Sequence, residues 1–326
     1  MKRRWRQWQA FRKRRQLRTV VDRTRAIAPD DILIFTTLRN ERVRLAYFLR
    51  YYRDLGVRHF LMVDNDSTDG SREYLAAQPD VSLWTTKSGY RQSRYGVDWL
   101  NHLARKYGCG HWCLTVDVDE FIVYPFSDTR PLRALTDWLD SSNLRTFSAM
   151  ILDMYPKGPV TAQPYHDGQN PFEIAQYFDS GNYSIQRNWF MENLWIQGGP
   201  RMRMFFADQP EKAPALNKIP LVKWDPSIVY VDSTHMVLPR GLNRVFDEWG
   251  GEKASGCLLH AKFLDTFAAK AAEEMERGQH YANSQEYRAY QENLARQPDL
   301  WCKFSEKYIN WRQLEILGLM SKGNWA

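Results

Sequence analysis

The ten residues LTVDVDEFIV, Leu114–Val123, decide how this chain is read. They are apolar except for a centre carrying Asp117, Asp119 and Glu120. A short apolar run of this kind reads as a buried strand. Three neighbouring carboxylates repel one another, so a buried strand that ends on them needs a positive charge close by. The source of that charge is the first question the sequence poses.

Upstream, HWCLTV (111–116) is the last of four apolar strands, after ILIFTTL (32–38), RHFLMVD (58–64) and VSLWTT (81–86). Helical patterns lie between them: ERVRLAYFLRYYRDL after a capping Asn40, SREYLAAQ, and SRYGVDWLNHLARKY. This alternation predicts an α/β fold, a Rossmann-like and mainly parallel sheet flanked by helices. In such sheets ligands bind at the carboxyl ends of the strands. The polar clusters Asp64–Gly70 and Asp117–Glu120 both fall at those ends, and so on one rim.

Downstream the pattern loosens. A helix at 132–139 and a strand, TFSAMILDMY, precede a stretch at about 156–260 rich in Gly, Pro, Asn and aromatic residues. Polar, ring-rich loops of this kind suit a surface that receives a second substrate. From Leu264 the chain turns helical, with AAKAAEEMERG and SQEYRAYQENLAR the clearest pieces. The expected units are a basic arm (1–30), the alternating half (31–130), the loop- and ring-rich half (131–263) and a helical C-terminal region (264–326).

With 326 residues, 44% hydrophobic and 25% charged, the chain can bury a substantial core. Its net charge of +7 is unevenly spread: residues 1–25 hold eleven Lys/Arg against the single acid Asp22, and the remainder is mildly acidic. No apolar run follows that arm as in a signal peptide, and no stretch has the length of a membrane span. Cys109, Cys113, Cys257 and Cys302 form neither a disulfide framework nor a zinc pattern, and are read as reduced thiols in the cytoplasm.

Asp-x-Asp at a sheet rim places Asp117 and Asp119 where a hard divalent ion, Mg²⁺ or Mn²⁺, can sit with substrate phosphates as its other ligands. A solvated strand end is the plainer reading of the same motif. VDNDSTDGS is not a calcium loop, because Leu75 stands where the twelfth-position glutamate belongs. It reads as a tight Asx/Ser turn with Asp64 and Asp66 facing the cleft.

FTTLRNE, FLMVDNDSTDGS and LTVDVDEF, in this order, resemble the family 2-type glycosyltransferases of the GT-A fold, nearest to a bacterial subgroup whose Asp-x-Asp is followed by Glu-Phe. The likeness covers about residues 32–125; GGPRMRMF, LNKIPLVKW and LLHAKFLDTF extend it more weakly. It implies transfer of a sugar from a nucleotide-sugar donor to a glycan or glycolipid, with inversion, in cell-surface polysaccharide or lipopolysaccharide synthesis. Thr36, Thr37 and Asp64 would hold the nucleoside, with Asn40, Glu41, Asn65 and Asp66 around them. Asn65 replaces an aspartate found in many relatives. Asp117 would lie near the ribose, Asp119 would ligate the metal, and Glu120 would orient both. Arg91 and Arg94 would assist the diphosphate. His260 would complete the metal shell, with Lys262 at a phosphate and His235 as the second candidate.

Glu192 is the expected general base, with Asp153 its rival. Arg201 and Arg203, on one face of an expected strand, and Lys218 would grip an acidic acceptor. Trp5, Trp8 and Phe11 interleave with arginines in the arm, which suits an anionic membrane surface on the cytoplasmic side. A solvated tail is the competing reading, and a nucleic-acid partner is not expected. The alternatives to sugar transfer are a nucleotidyltransferase acting on sugar phosphates and a non-catalytic sugar- or nucleic-acid-binding protein.

Overall fold

The computed structural model describes residues 2–231, 233–245, 253–277 and 298–326. The chain opens with helix α1 (Lys2–Lys13) and strand β1 (Arg18–Val21), and then alternates: β2 (Leu33–Leu38), α2 (Arg42–Asp54), β3 (His59–Asp64), α3 (Ser71–Ala76), β4 (Val81–Thr85), α4 (Val97–Tyr107) and β5 (Trp112–Thr115). Next come β6 (Glu120–Val123), α5 (Leu132–Ser141), β7 (Thr146–Asp153), β8 (Tyr177–Asp179), the hairpin β9 (Tyr183–Asn188) and β10 (Asn193–Gly198), and α6 (Gly199–Phe205). The chain closes with β11 (Asn217–Lys223), β12 (Val229–Tyr230), β13 (Val237–Leu238), β14 (Ser255–His260), α7 (Thr266–Arg277), β15 (Ser305–Lys307) and α8 (Trp311–Ile316).

Nine strands form one sheet in the order β1-β4-β3-β2-β5-β11-β7-β14-β6. The β4-β3-β2-β5 block is parallel, as the alternation predicts, and is compatible with a Rossmann-like winding. The whole sheet is mixed, which corrects the expectation of a mainly parallel one. β11 enters antiparallel between β5 and β7, β6 lies antiparallel to β14, and β1 is antiparallel to β4. Both faces are covered. Ile34, Phe60 and Leu114 point to one apolar layer and Leu33, Phe35 and Leu61 to the other, the two-residue period of strands buried on both sides.

Three local expectations are revised, and one strand is added. β5 ends at Thr115, within a residue of HWCLTV, and the chain turns when Glu120 N–H donates to Asp117 O at 3.0 Å. β6 then lies at the far edge of the sheet. Asn40 does not cap α2; it sits at φ 50°, and Asp69 Oδ2 accepts the Arg42 N–H at 2.8 Å instead. GGPRMRMF folds as helix α6, with Pro200 in its first turn, and not as a strand. The basic arm is a docked helix, with Ala10 buried and Gln7 Nε2 donating to Pro226 O at 2.8 Å. SQEYRAYQENLAR lies outside the described residues.

Candidate active site

The strand register gathers the acids. β7 and β14 run parallel and place His260 level with Asp153, while antiparallel β6 places Glu120 on the other side of His260. Leu221 of β11 sits opposite Leu114 of β5, so continuing that ladder brings Lys218 level with Asp117. Asp117, Glu120, Asp153, Lys218 and His260 therefore share one rim, at the carboxyl ends of β5, β7 and β14.

Lys218 supplies part of the missing positive charge. Its Nζ lies 2.7 Å from Glu120 Oε1 and 3.4 Å from Asp117 Oδ2. Burial disfavours its charge, but the two carboxylates outweigh that and raise its pKa above the ordinary lysine range. Glu120 also ties the turn together, since its Oε2 accepts the Asp117 N–H at 3.1 Å. The expectation that Lys218 grips an acceptor is thus revised: its charge is turned inward, onto the acids.

The second source is His260. Its Nδ1 is 2.6 Å from Asp153 Oδ1 and its Nε2 is 3.3 Å from Asp119 Oδ2. Burial works against an imidazolium here, yet Asp119 and Asp153 prevail and raise its pKa. Burial likewise opposes a charge on Asp119, but His260, Arg44 and Lys262 drive its pKa far below the usual carboxylate range. For Asp153, Arg201 and His260 overcome burial and bring the pKa down to about 2. Arg201 Nε lies 2.7 Å from Asp153 Oδ2. Arg201 is therefore not an acceptor grip, and Asp153 is a buried anchor for His260 rather than an open base.

Beside Asp117 opens a small pocket of about 40 Å³, lined among others by Thr37, Tyr90, Tyr95, Lys218 and Thr234. The buried hydroxyls of Thr37 and Thr234 have no hydrogen-bond partner among the described residues. Buried polar groups are normally satisfied, so two unsatisfied hydroxyls lining one pocket mark a place for a polar ligand. Gly96 shapes this wall. It sits at φ 78°, and a Cβ there would meet Thr37 Oγ1 at 2.7 Å.

No family model matches the chain, and no curated protein matches it in sequence.

Other expected residues are engaged elsewhere. Asp64, expected to face the cleft, is fully buried and accepts from Arg72 Nε at 3.0 Å, Thr85 Oγ1 at 3.1 Å and Ser67 N–H at 3.2 Å. Asp66, at φ 62°, lies 3.8 Å from the same Arg72. Asn65 spans to Thr86 O and Ser88 O, and Thr36 Oγ1 donates to Val116 O. Asn40 Nδ2 donates to Glu273 Oε1 at 2.6 Å, and Glu41 pairs with Arg44 and Lys270, so the loop after β2 is latched to α7. Arg94 is bound to Asp98 and Val231 O, and Arg91 stands exposed on the short turn before it. Arg203 forms a two-bond pair with buried Asp179, which removes it from an acceptor surface. Glu192 is at the turn of the β9–β10 hairpin, 2.8 Å from Arg244. His235 is neutral, burial and Lys218 lowering its pKa to about 4, and its Nδ1 is 2.6 Å from Asn217 O. Lys262 stacks against Phe267 and contributes to the field on Asp119.

Among the described residues no group of three or more His, Cys, Asp or Glu is placed to hold a metal ion. The chemistry of the donor set still fits a hard divalent ion. Mg²⁺ and Mn²⁺ take one or two carboxylates and complete their shells with phosphate oxygens and water. Asp119 and His260 offer an oxygen and a nitrogen 3.3 Å apart, and Asp153 fixes the imidazole from behind, as outer carboxylates do for metal-bound histidines.

Proposed function

We propose that this chain is a metal-dependent glycosyltransferase of the GT-A type, moving a sugar from a nucleotide-sugar donor to a glycan or glycolipid acceptor. The observation that carries the reading is the line Asp153–His260–Asp119 at the sheet rim, on the same rim as a pocket with two unsatisfied hydroxyls. Asp119 and His260 would hold Mn²⁺ or Mg²⁺, with Asp117 beside them. Such an ion, when bound, acts as a Lewis acid on the departing nucleoside diphosphate.

The protein's own groups do the rest. Thr37, Thr234 and the rings of Tyr90 and Tyr95 line the space into which the nucleoside would bind. Lys218 bridges Glu120 and Asp117, and Glu120 in turn accepts the Asp117 N–H, which keeps the Asp117–Glu120 turn closed. Asp153 receives the Nδ1–H of His260 and so directs Nε2 toward Asp119. An inverting transfer needs a base for the acceptor hydroxyl. Glu192 fills that role in this reading by exchanging Arg244 for the acceptor, and Glu192→Gln tests it through turnover at unchanged donor affinity.

The test of the whole is calorimetric titration of the full chain with uridine, guanosine, cytidine and adenosine diphosphates, with and without Mn²⁺. One of them should bind tightly only with the metal, and Asp119→Asn should abolish that dependence. Absence of metal-linked binding for all four sinks the proposal.

A further inference from the structure

We propose that α1 and the tip of the β9–β10 hairpin together form a docking surface for an anionic lipid bilayer. α1 turns the opposite way from an ordinary surface helix. Its inward side is small and polar, with Ala10 buried and Gln7 bound to Pro226 O. Its outward side carries Trp5, Trp8 and Phe11, about half exposed at 51%, 51% and 53%. Residues three apart run along one flank of a helix, and Arg4 and Arg12 lie among the rings on that flank. A helix that presents a row of rings to solvent is built to meet something apolar.

The second half of the surface comes from far along the chain. Trp189 and Phe190, at the hairpin tip, are 72% and 61% exposed. Lys2 Nζ of α1 lies 5.4 Å from the centre of the Phe190 ring, and the guanidinium of Arg240, which donates to Phe190 O at 2.8 Å, lies 5.2 Å from it. The start of α1 and the hairpin tip are therefore neighbours. Arg187 packs over Trp189 in the same way.

Charge selects the occupant. Residues 1–25 hold eleven Lys/Arg against one acid, while the rest of the chain is mildly acidic, so attraction to an anionic surface is concentrated at this end. Large rings flanked by cations match the headgroup layer, where Trp resides and Lys/Arg meet lipid phosphates. A single strand of nucleic acid is held instead in a groove that tracks its backbone; a helix flank and a hairpin tip project outward. Among the described residues no helix is long and apolar enough to cross a membrane, so the contact is peripheral. The inference does not rest on the sugar-transfer reading.

Flotation of the full chain with phosphatidylcholine vesicles, alone or with added phosphatidylglycerol, tests it. Binding should need the anionic lipid and weaken with salt. Trp189→Ser/Phe190→Ser should cut partitioning at least about tenfold, the equivalent of one large ring leaving the interface, with an unchanged melting temperature. Trp5→Ser/Trp8→Ser should do the same. Equal binding to neutral vesicles overturns the proposal, as does partitioning of the hairpin variant like the parent. A parent that is dimeric and a hairpin variant that is monomeric by light scattering would assign the patch to a second copy instead.

Discussion

Lys218 Nζ lies 2.7 Å from Glu120 Oε1, with both side chains at least 95% buried, and Asp117 completes the contact at 3.4 Å. Removing one member of a buried pair leaves an uncompensated charge, at a cost of about 3–5 kcal/mol. Lys218→Met is therefore expected to lower the unfolding free energy by that amount in urea titrations at neutral pH. Adding Glu120→Gln should restore the larger part, because the stranded carboxylate is gone. A single variant as stable as the parent would show that Lys218 does not neutralise the cluster.

Asp153→Asn tests the outer support of His260. The amide keeps the shape of the carboxylate but not its charge, so the imidazole loses the partner that fixes its Nδ1 proton. Mn²⁺ affinity, followed by the paramagnetic resonance signal of the free ion, should fall about 10–100-fold, the range found when such outer carboxylates are changed. Arg201 also loses its anionic partner, so the melting temperature should drop as well. Mn²⁺ binding that withstands the change would remove Asp153 from the site.

Thr37→Val separates ligand from architecture. Thr37 Oγ1 is buried without a partner among the described residues, and an unsatisfied buried hydroxyl costs about 1–3 kcal/mol. Valine has the same shape and no such penalty. The ligand-free variant should be as stable as the parent or more so, while nucleoside diphosphate affinity falls about fivefold or more, one neutral hydrogen bond's worth. Unchanged affinity in calorimetry would leave this hydroxyl without a role in binding.

The parallel half was legible because its strands are apolar throughout and its helices are periodic; bounds for β2, β3 and β4 fall within a residue of the sequence reading. The antiparallel insertions were not. β11 and β14 lie in a stretch whose glycines, prolines and rings read as loop, and strand pairing between residues a hundred apart leaves no local trace. At the site, the rim placement of Asp117 and Asp119 followed from a strand end, whereas His260, on a strand the sequence did not disclose, was named only through the family likeness. What was missed is pairing. A lysine inside the apolar run NKIPLVK was a usable signal, since a buried lysine needs an anion. Asp64, Asn40 and Glu41 pointed to a ligand by type, but Arg72 and α7 take their polar atoms, which no spacing along the chain discloses.

His235 gives the acid side of the stability profile a marked group. Burial and the Lys218 charge lower its pKa to about 4, against an ordinary imidazole value of 6.5. Between those values the unfolded chain takes up a proton at this position and the folded chain does not. Stability must therefore fall as pH drops through that window, by at most about 3 kcal/mol at its lower end. His235→Asn removes the titrating group and keeps an N–H donor for Asn217 O, so its unfolding free energy should lose less between pH 7 and pH 4.5 than the parent's. The difference between the two proteins isolates His235 from the other groups that titrate in acid. Parallel losses across that range would mean that His235 is protonated in the fold and that Lys218 does not face it.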